Sequence, residues 1–242
     1  MGGGRALHRY SDDDGVSWSD PIDVTRYTLP ETHNAFAFGP GHGICTESGT
    51  LIVPVWMVEK RHNAPIRSHL PAVVSTFYST DDGKSWAVGE ILESGKDAIS
   101  PNETVAALTS DGGVYMNSRH CGFLRLSTYS ESGYSGWSEY TLNTDLDDPQ
   151  CFGSVVAYND KKAPYSLIFA NCRDNSRRAR VTVSVSVDNG KSYPVSKLID
   201  SDRGGYVEIA ADNEAGLIYL LYENNGGETD HLATFNYEWL TK

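Results

Sequence analysis

Three short segments place carboxylates, hydroxyls and a glycine at one fixed spacing. They read Ser11-x-Asp13-x-Gly15-x-Ser17-Trp18, Ser79-x-Asp81-x-Gly83-x-Ser85-Trp86 and Ser186-x-Asp188-x-Gly190-x-Ser192-Tyr193. Carboxylates beside hydroxyls could do acid–base chemistry. The spacing points instead to a turn. Asp and Ser side chains bond the backbone of their own turn, and Asp-Gly or Asn-Gly supplies the φ > 0 positions of a hairpin. The closing aromatic can fold back beneath the turn as a hydrophobic plug. These boxes are therefore read as structural.

Each box follows a strand-like run: Arg9-Tyr10, Val73 to Tyr78, and Arg180 to Val185. A degraded fourth copy spans Ser127 to Trp137. The closing aromatics Trp18, Trp86, Trp137 and Tyr193 are roughly 50–70 residues apart, the length of a four-stranded blade plus a variable loop. A turn repeated at that interval implies a radial β architecture. The other strand signals agree: Leu51 to Trp56 after Ser48-Gly49, Val114 to Asn117 after Asp111-Gly112-Gly113, and Leu217 to Tyr222 after Ala215-Gly216. Alternation from Arg180 to Val187 puts Val181, Val183, Val185 and Val187 on one face. No window predicts an amphipathic helix of ten residues or more, and no low-complexity linker divides the chain.

With 242 residues the chain is long enough for one all-β domain with a substantial core. A formal charge of −12 disfavours nucleic-acid phosphates, and the one basic cluster is Arg177, Arg178 and Arg180. No stretch reaches the length of a membrane span, and Met1-Gly2-Gly3-Gly4 does not read as a signal peptide. The compartment stays open. Cys45, Cys121, Cys151 and Cys172 lack metal-ligand spacing and are read as buried free thiols. No metal or other cofactor is expected.

Several segments together carry a family resemblance. The boxes, Gly39-Pro40-Gly41-His42-Gly43-Ile44, Leu51-Ile52-Val53-Pro54, Asn102-Glu103, Met116-Asn117-Ser118-Arg119, Asp148 to Val155 and Leu220-Leu221-Tyr222-Glu223 resemble the catalytic domain of bacterial-type exo-α-sialidases. The resemblance covers nearly the whole chain. It implies a six-bladed β-propeller acting on sialylated glycans, with release of sialic acid through a retaining mechanism. Sialic acid carries a carboxylate on its anomeric carbon, which arginine forks can clamp. An anionic nucleophile would be repelled there, so the family uses a neutral tyrosine activated by a glutamate.

Carried over residue by residue, the resemblance implies that Glu103 is the activating carboxylate and Arg119, at the end of the following strand, a carboxylate-binding arginine. Arg178, four residues before Thr182, is the next clamp arginine, with Arg180 as its rival. Tyr206 in Gly204-Gly205-Tyr206-Val207-Glu208 is the nucleophile, although Val207 replaces the usual serine. His42 is placed at the pocket rim, with a turn histidine free of ligand as the alternative. Trp56 and Met57 could pack on the sugar or serve the core.

The family also has an Arg-Ile-Pro motif and a loop Asp before the first box, supplying the first clamp arginine and the acid for the leaving group. Neither is in this sequence. The expectation is a single domain over residues 1–242 that lacks the first-blade segment and keeps four to five of six blades. Its open sheet edges would invite pairing with another chain. Turnover would be weak or absent. The alternatives to an enzyme are a glycan-binding propeller without turnover and a structural Asp-box propeller.

Overall fold

The computed structural model describes residues 5–28, 30–59, 71–161 and 163–242. The Met1–Gly4 opening lies outside them. Seventeen strands dominate the described residues: β1 (Leu7–His8), β2 (Ile22–Asp23), β3 (His33–Phe38), β4 (Ile44–Cys45), β5 (Leu51–Glu59), β6 (Ala72–Ser79), β7 (Ala87–Val88), β8 (Thr104–Leu108), β9 (Val114–Ser118), β10 (Leu124–Ser130), β11 (Thr141–Asp147), β12 (Ser154–Tyr158), β13 (Ser166–Cys172), β14 (Ala179–Ser186), β15 (Val195–Asp212), β16 (Leu217–Asn224) and β17 (Thr229–Asn236). The helices among the described residues are short, α1 (Thr25–Thr28) and α2 (Tyr237–Thr241).

The strands form successive antiparallel meanders. After the β1–β2 pair comes β3-β5-β6-β7, with β4 also on β5; then β8-β9-β10-β11; then β12 through β17 in order. The last run is two blades sharing one long strand. The first part of β15 pairs with β14, and the part from Gly204 onward pairs with β16. Strand β8 lies against β5 and β12, and β12 lies against β15, so neighbouring blades are packed against one another.

The boxes fold as their composition requires. In the second, Ser85 donates from its hydroxyl and its N–H to Asp81, Gly83 N–H donates to Ser79 Oγ at 2.9 Å, and Trp86 Nε1 donates to Gly83 O at 3.1 Å. The first box repeats all of these bonds, and the third repeats the Ser and Asp bonds. The left-handed positions fall on Asp14-Gly15, Asp82-Gly83 and Asn189-Gly190. At Gly190 a Cβ would come within 2.3 Å of the Tyr115 ring. The degraded fourth turn begins at Ser130, whose hydroxyl accepts from Gly133 N–H at 2.9 Å.

These bonds have a pH signature. The hydroxyl and N–H of Ser85, then the Ser79 hydroxyl, hold the Asp81 carboxyl at about 2, below its ordinary 3.8. A depressed carboxyl contributes stability that is present above pH ~4 and lost as the pH falls towards 2. Asp81→Asn is therefore expected to lower Tm at neutral pH and to flatten its decline between pH 4 and 2. An unchanged slope would remove Asp81 from the account of acid unfolding.

Several expectations are corrected. Arg9 and Tyr10 lie outside β1, because the first strand is only two residues long. Val187 has already entered the third box and is 58% exposed, whereas Val181, Val183 and Val185 are buried in the core with Ile209 and Leu220. Trp18 is 56% exposed, since the first box turns over a two-stranded pair too small to cover it; Tyr193, above full sheets, is buried. Cys45 is exposed and Cys121 partly so, leaving Cys151 and Cys172 as the buried thiols. Met57 is a core residue. Trp56 packs beside the cluster of Val74, Met116 and Ala106.

Candidate functional site

Glu103 and Arg119 are sixteen residues apart because one hairpin separates them. Thr104 pairs with Ser118 across β8 and β9, and just beyond that pair Arg119 N–H donates to Glu103 O at 2.9 Å. The two side chains therefore leave the same end of the blade, and Arg119 Nη1 donates to Glu103 Oε2 at 2.5 Å. Burial works against the charged form of Arg119, but the hydrogen bond and charge of Glu103 more than offset it and raise its pKa.

The other carboxylate oxygen of Glu103 accepts a short hydrogen bond from the Tyr206 hydroxyl. Tyr206 comes from β15, at a register shift between Gly204 and Val207. Its N–H donates to Glu223 Oε2 at 2.8 Å, and Gly205 must lack a side chain there, since a Cβ would meet that oxygen at 1.9 Å. Phe152 backs the Tyr206 ring at 5.7 Å between centroids. Burial first, then the hydrogen bond and charge of Glu103, push the phenol up to about 12, with Arg119 pulling the other way.

Arg178 completes the group. Its guanidinium carbon stands 5.6 Å from the centre of the Tyr206 ring, and Nη2 donates to Gln150 O at 3.2 Å. Its carbonyl accepts from Gly204 N–H at 3.0 Å, which ties it to the register shift that presents Tyr206. Arg180 sits at an irregularity in the β14 pairing with φ 61° and an exposed side chain. Of the two rivals, Arg178 is the one over Tyr206.

His42 lies at the edge of the same region. A cavity of about 480 Å³ is walled by His42, Phe152, Tyr206, Glu208, Leu221 and Glu223, and His42 Nδ1–H donates to Glu208 Oε1 at 2.5 Å. Gly39 in the same loop accepts from Thr104 N–H at 3.1 Å, so the loop bridges the strand beside Glu103 and the strand of Tyr206. A separate cavity of about 400 Å³ opens at the turn end, beside Asp111, Tyr129 and Asn189, and includes none of these five residues.

All five predicted residues thus fall in one neighbourhood. Sequence reasoning missed their supports. Arg125 and Asp148 form a fully buried ion pair at 3.0 Å, and Asp148 Oδ1 accepts from Cys151 N–H. Cys172 Sγ donates to Gly205 O at 3.3 Å, directly before Tyr206, and its thiol lies in hydrogen-bonding reach of Cys151. The cysteine spacing in sequence carried no sign of this meeting.

The arrangement can do particular chemistry. A phenol held against a carboxylate is a neutral nucleophile with its base in place. Two guanidinium groups beside it suit a carboxylate on the atom under attack.

A family model for the BNR repeat-like domain matches residues 2–226. The sialidase of Micromonospora viridifaciens is 33% identical over 248 residues, covering 95% of this chain and 35% of that protein. An exo-alpha-sialidase of Arthroderma benhamiae is 25% identical over 248 residues, covering 95% of this chain and 55% of that protein. Among solved structures, a Hadza microbial sialidase superposes with a TM-score of 0.85 at 23% identity, covering 98% of this chain and 44% of that one. The intramolecular trans-sialidase of Ruminococcus gnavus, in complex with oseltamivir carboxylate, gives 0.78 at 21% identity, covering 98% and 51%. The chain spans about half, or less, of the length of these proteins. The fold is that of a sialidase β-propeller, incomplete in its blades.

Proposed function

We propose, from the premise that this chain belongs to the BNR repeat-like domain family and is a sialidase-type domain, that its site takes the terminal sialic acid of a glycan and opens the glycosidic bond with retention. The observation that carries this reading is the hydrogen bond of Tyr206 to Glu103, with Arg119 on the second oxygen of Glu103 and Arg178 over the Tyr206 ring.

In this reading Arg119 and Arg178 hold the substrate carboxylate by charge-assisted bonds. That places C2 before the Tyr206 oxygen. At pH 7 a phenol near 12 is ionised in only about one molecule in 10⁵, a penalty of ~7 kcal/mol. A free phenolate is therefore not the nucleophile. Glu103 takes the proton as the Tyr206 Oη–C2 bond forms and the C2–O bond to the leaving group breaks, the departing oxygen keeping the electron pair and taking a proton from solvent. In the second half water attacks C2 and releases one proton to solvent as the C2–Oη bond breaks, and the proton held by Glu103 returns to the Tyr206 oxygen. Positive charge developing on the sugar is stabilised by the nearby substrate carboxylate and Glu103.

A second reading is a glycan-binding propeller in which binding outlasts turnover; among the described residues it rests on the same Arg119 and Arg178 beside Tyr206 and Glu103.

Both readings are tested by calorimetry with a 2,3-didehydro sialic acid, whose flattened ring and carboxylate mimic the transition state. The full chain is expected to bind it, and Arg119→Ala to weaken binding about 10- to 100-fold, the range for losing a charged hydrogen bond. No binding by the parent chain would favour a purely structural propeller. Equal binding by the variant would remove Arg119 from the clamp.

A further inference from the structure

We propose that the hollow behind Arg178 is a second anion subsite, which recognises a further negative charge on the glycan next to the terminal sialic acid. This rests on the reading above, since the subsite shares Arg178 with the proposed clamp.

The hollow has a volume of about 410 Å³ and is walled by Arg177, Arg178 and Arg203, by Glu223, and by backbone at Gly204 and Gly226. That is room for a charged substituent and part of its sugar. Three arginines around one space are not background in a chain with 32 acidic against 20 basic residues. Arg177 and Arg203 are exposed, and among the described residues their guanidinium groups have no hydrogen-bond or ion-pair partner. Asp174 feels the charge of Arg177, but its Oδ1 is already engaged by the Ser176 hydroxyl and by the N–H groups of Ser176 and Arg177. The single carboxylate in the wall, Glu223, is committed through Oε2 to Tyr206 N–H.

The backbone is shaped to this end. Gly226 adopts φ 76°, and a Cβ there would come within 3.0 Å of Arg203 Nη2, so a bare glycine leaves the guanidinium its resting place. Gly204 N–H holds the Arg178 carbonyl, fixing one wall of the hollow to the strand that bears Tyr206. Guanidinium forks match the oxygens of a carboxylate or a sulfate. The chemical class is therefore an acidic glycan with two negative groups close together. The second charge can be the carboxylate of an adjoining sialic acid or a sulfate ester on the neighbouring sugar.

The test is calorimetry on the full chain with three ligands: α2,3-sialyllactose, an α2,8-linked sialic acid dimer, and a sialyllactosamine bearing one sulfate ester. The dimer, the sulfated ligand, or both are expected to bind about tenfold tighter than sialyllactose at low salt, with the gap narrowing at 150 mM salt. Whichever doubly charged ligand holds the advantage identifies the source of the second anion. The double variant Arg177→Ala/Arg203→Ala is expected to abolish the gap while leaving sialyllactose affinity within twofold and Tm unchanged. Equal affinity for all three ligands in the parent chain overturns the subsite, as does a gap that survives in the double variant. If sialyllactose fails to bind while a doubly charged ligand binds, the two-arginine clamp is insufficient and the double variant still decides the subsite. If nothing binds, both readings fall.

Discussion

Tyr206→Phe is expected to abolish covalent capture of a fluorinated sialosyl fluoride, a substrate whose fluoride leaves without a proton donor. The parent chain should gain the mass of one fluorosialosyl group, located by fragmentation on the peptide that contains Tyr206. The variant keeps the ring that packs on Phe152 and loses only the hydroxyl that donates to Glu103, so its fold is not at stake. Labelling should drop at least about a thousandfold, because no other side chain takes the place of a missing nucleophile. Glu103→Gln keeps an acceptor for the phenol but no longer a base, and should slow labelling by roughly 10²–10⁴. A label on another residue, or a Phe variant that labels at the parent rate, would end the proposed tyrosine chemistry.

The second large effect concerns folding. Arg125 and Asp148 have no exposed surface. Arg125 is held by Asn117 Oδ1 at 2.7 Å, Asp148 Oδ2 at 3.0 Å and Cys151 O at 2.7 Å, and lies 5.5 Å from the centre of the Phe169 ring, while its Nη2 has no hydrogen-bond partner among the described residues. Asp148→Ala leaves this cation buried with neutral partners alone, and should cost about 3–5 kcal/mol in urea unfolding. Arg125→Met with Asp148→Leu should recover much of that, because the desolvation penalty goes with both charges. A loss below ~1 kcal/mol in the single variant would show that water or a rearranged carbonyl replaces the aspartate. The site should suffer as well. Asp148 pins Cys151 N–H in the loop that offers Gln150 O to Arg178 and Phe152 to Tyr206.

Much of this was legible in the residues themselves. The boxes announce their turns because a short-range hydrogen-bond pattern needs only eight consecutive residues. Glu103 and Arg119 are adjacent in space because a hairpin of two five-residue strands brings its ends together, a distance the sequence measures directly. Arg178 and Arg180 could not be separated in that way. Their difference is made by an irregular pairing of β14 with β15, which depends on where the strand partners slip. The same holds for His42 with Glu208, Cys151 with Cys172, and Arg125 with Asp148. Each joins segments that meet through blade packing, and no local pattern encodes such a meeting. Trp18 shows the converse: its box is locally complete, but the sheet that would cover it is too small.

Strand β15 runs for 18 residues and belongs to two blades at once. The carbonyl of Arg178 is fastened to it at Gly204, and Tyr206 is two residues further on. The proposed charge holder and the proposed attacking oxygen therefore ride on a common girder, which resists their drifting apart by a hinge between blades. In that reading a guest molecule finds them already spaced, so little ordering entropy is spent on entry, and affinity should vary only weakly with loop truncations in other blades.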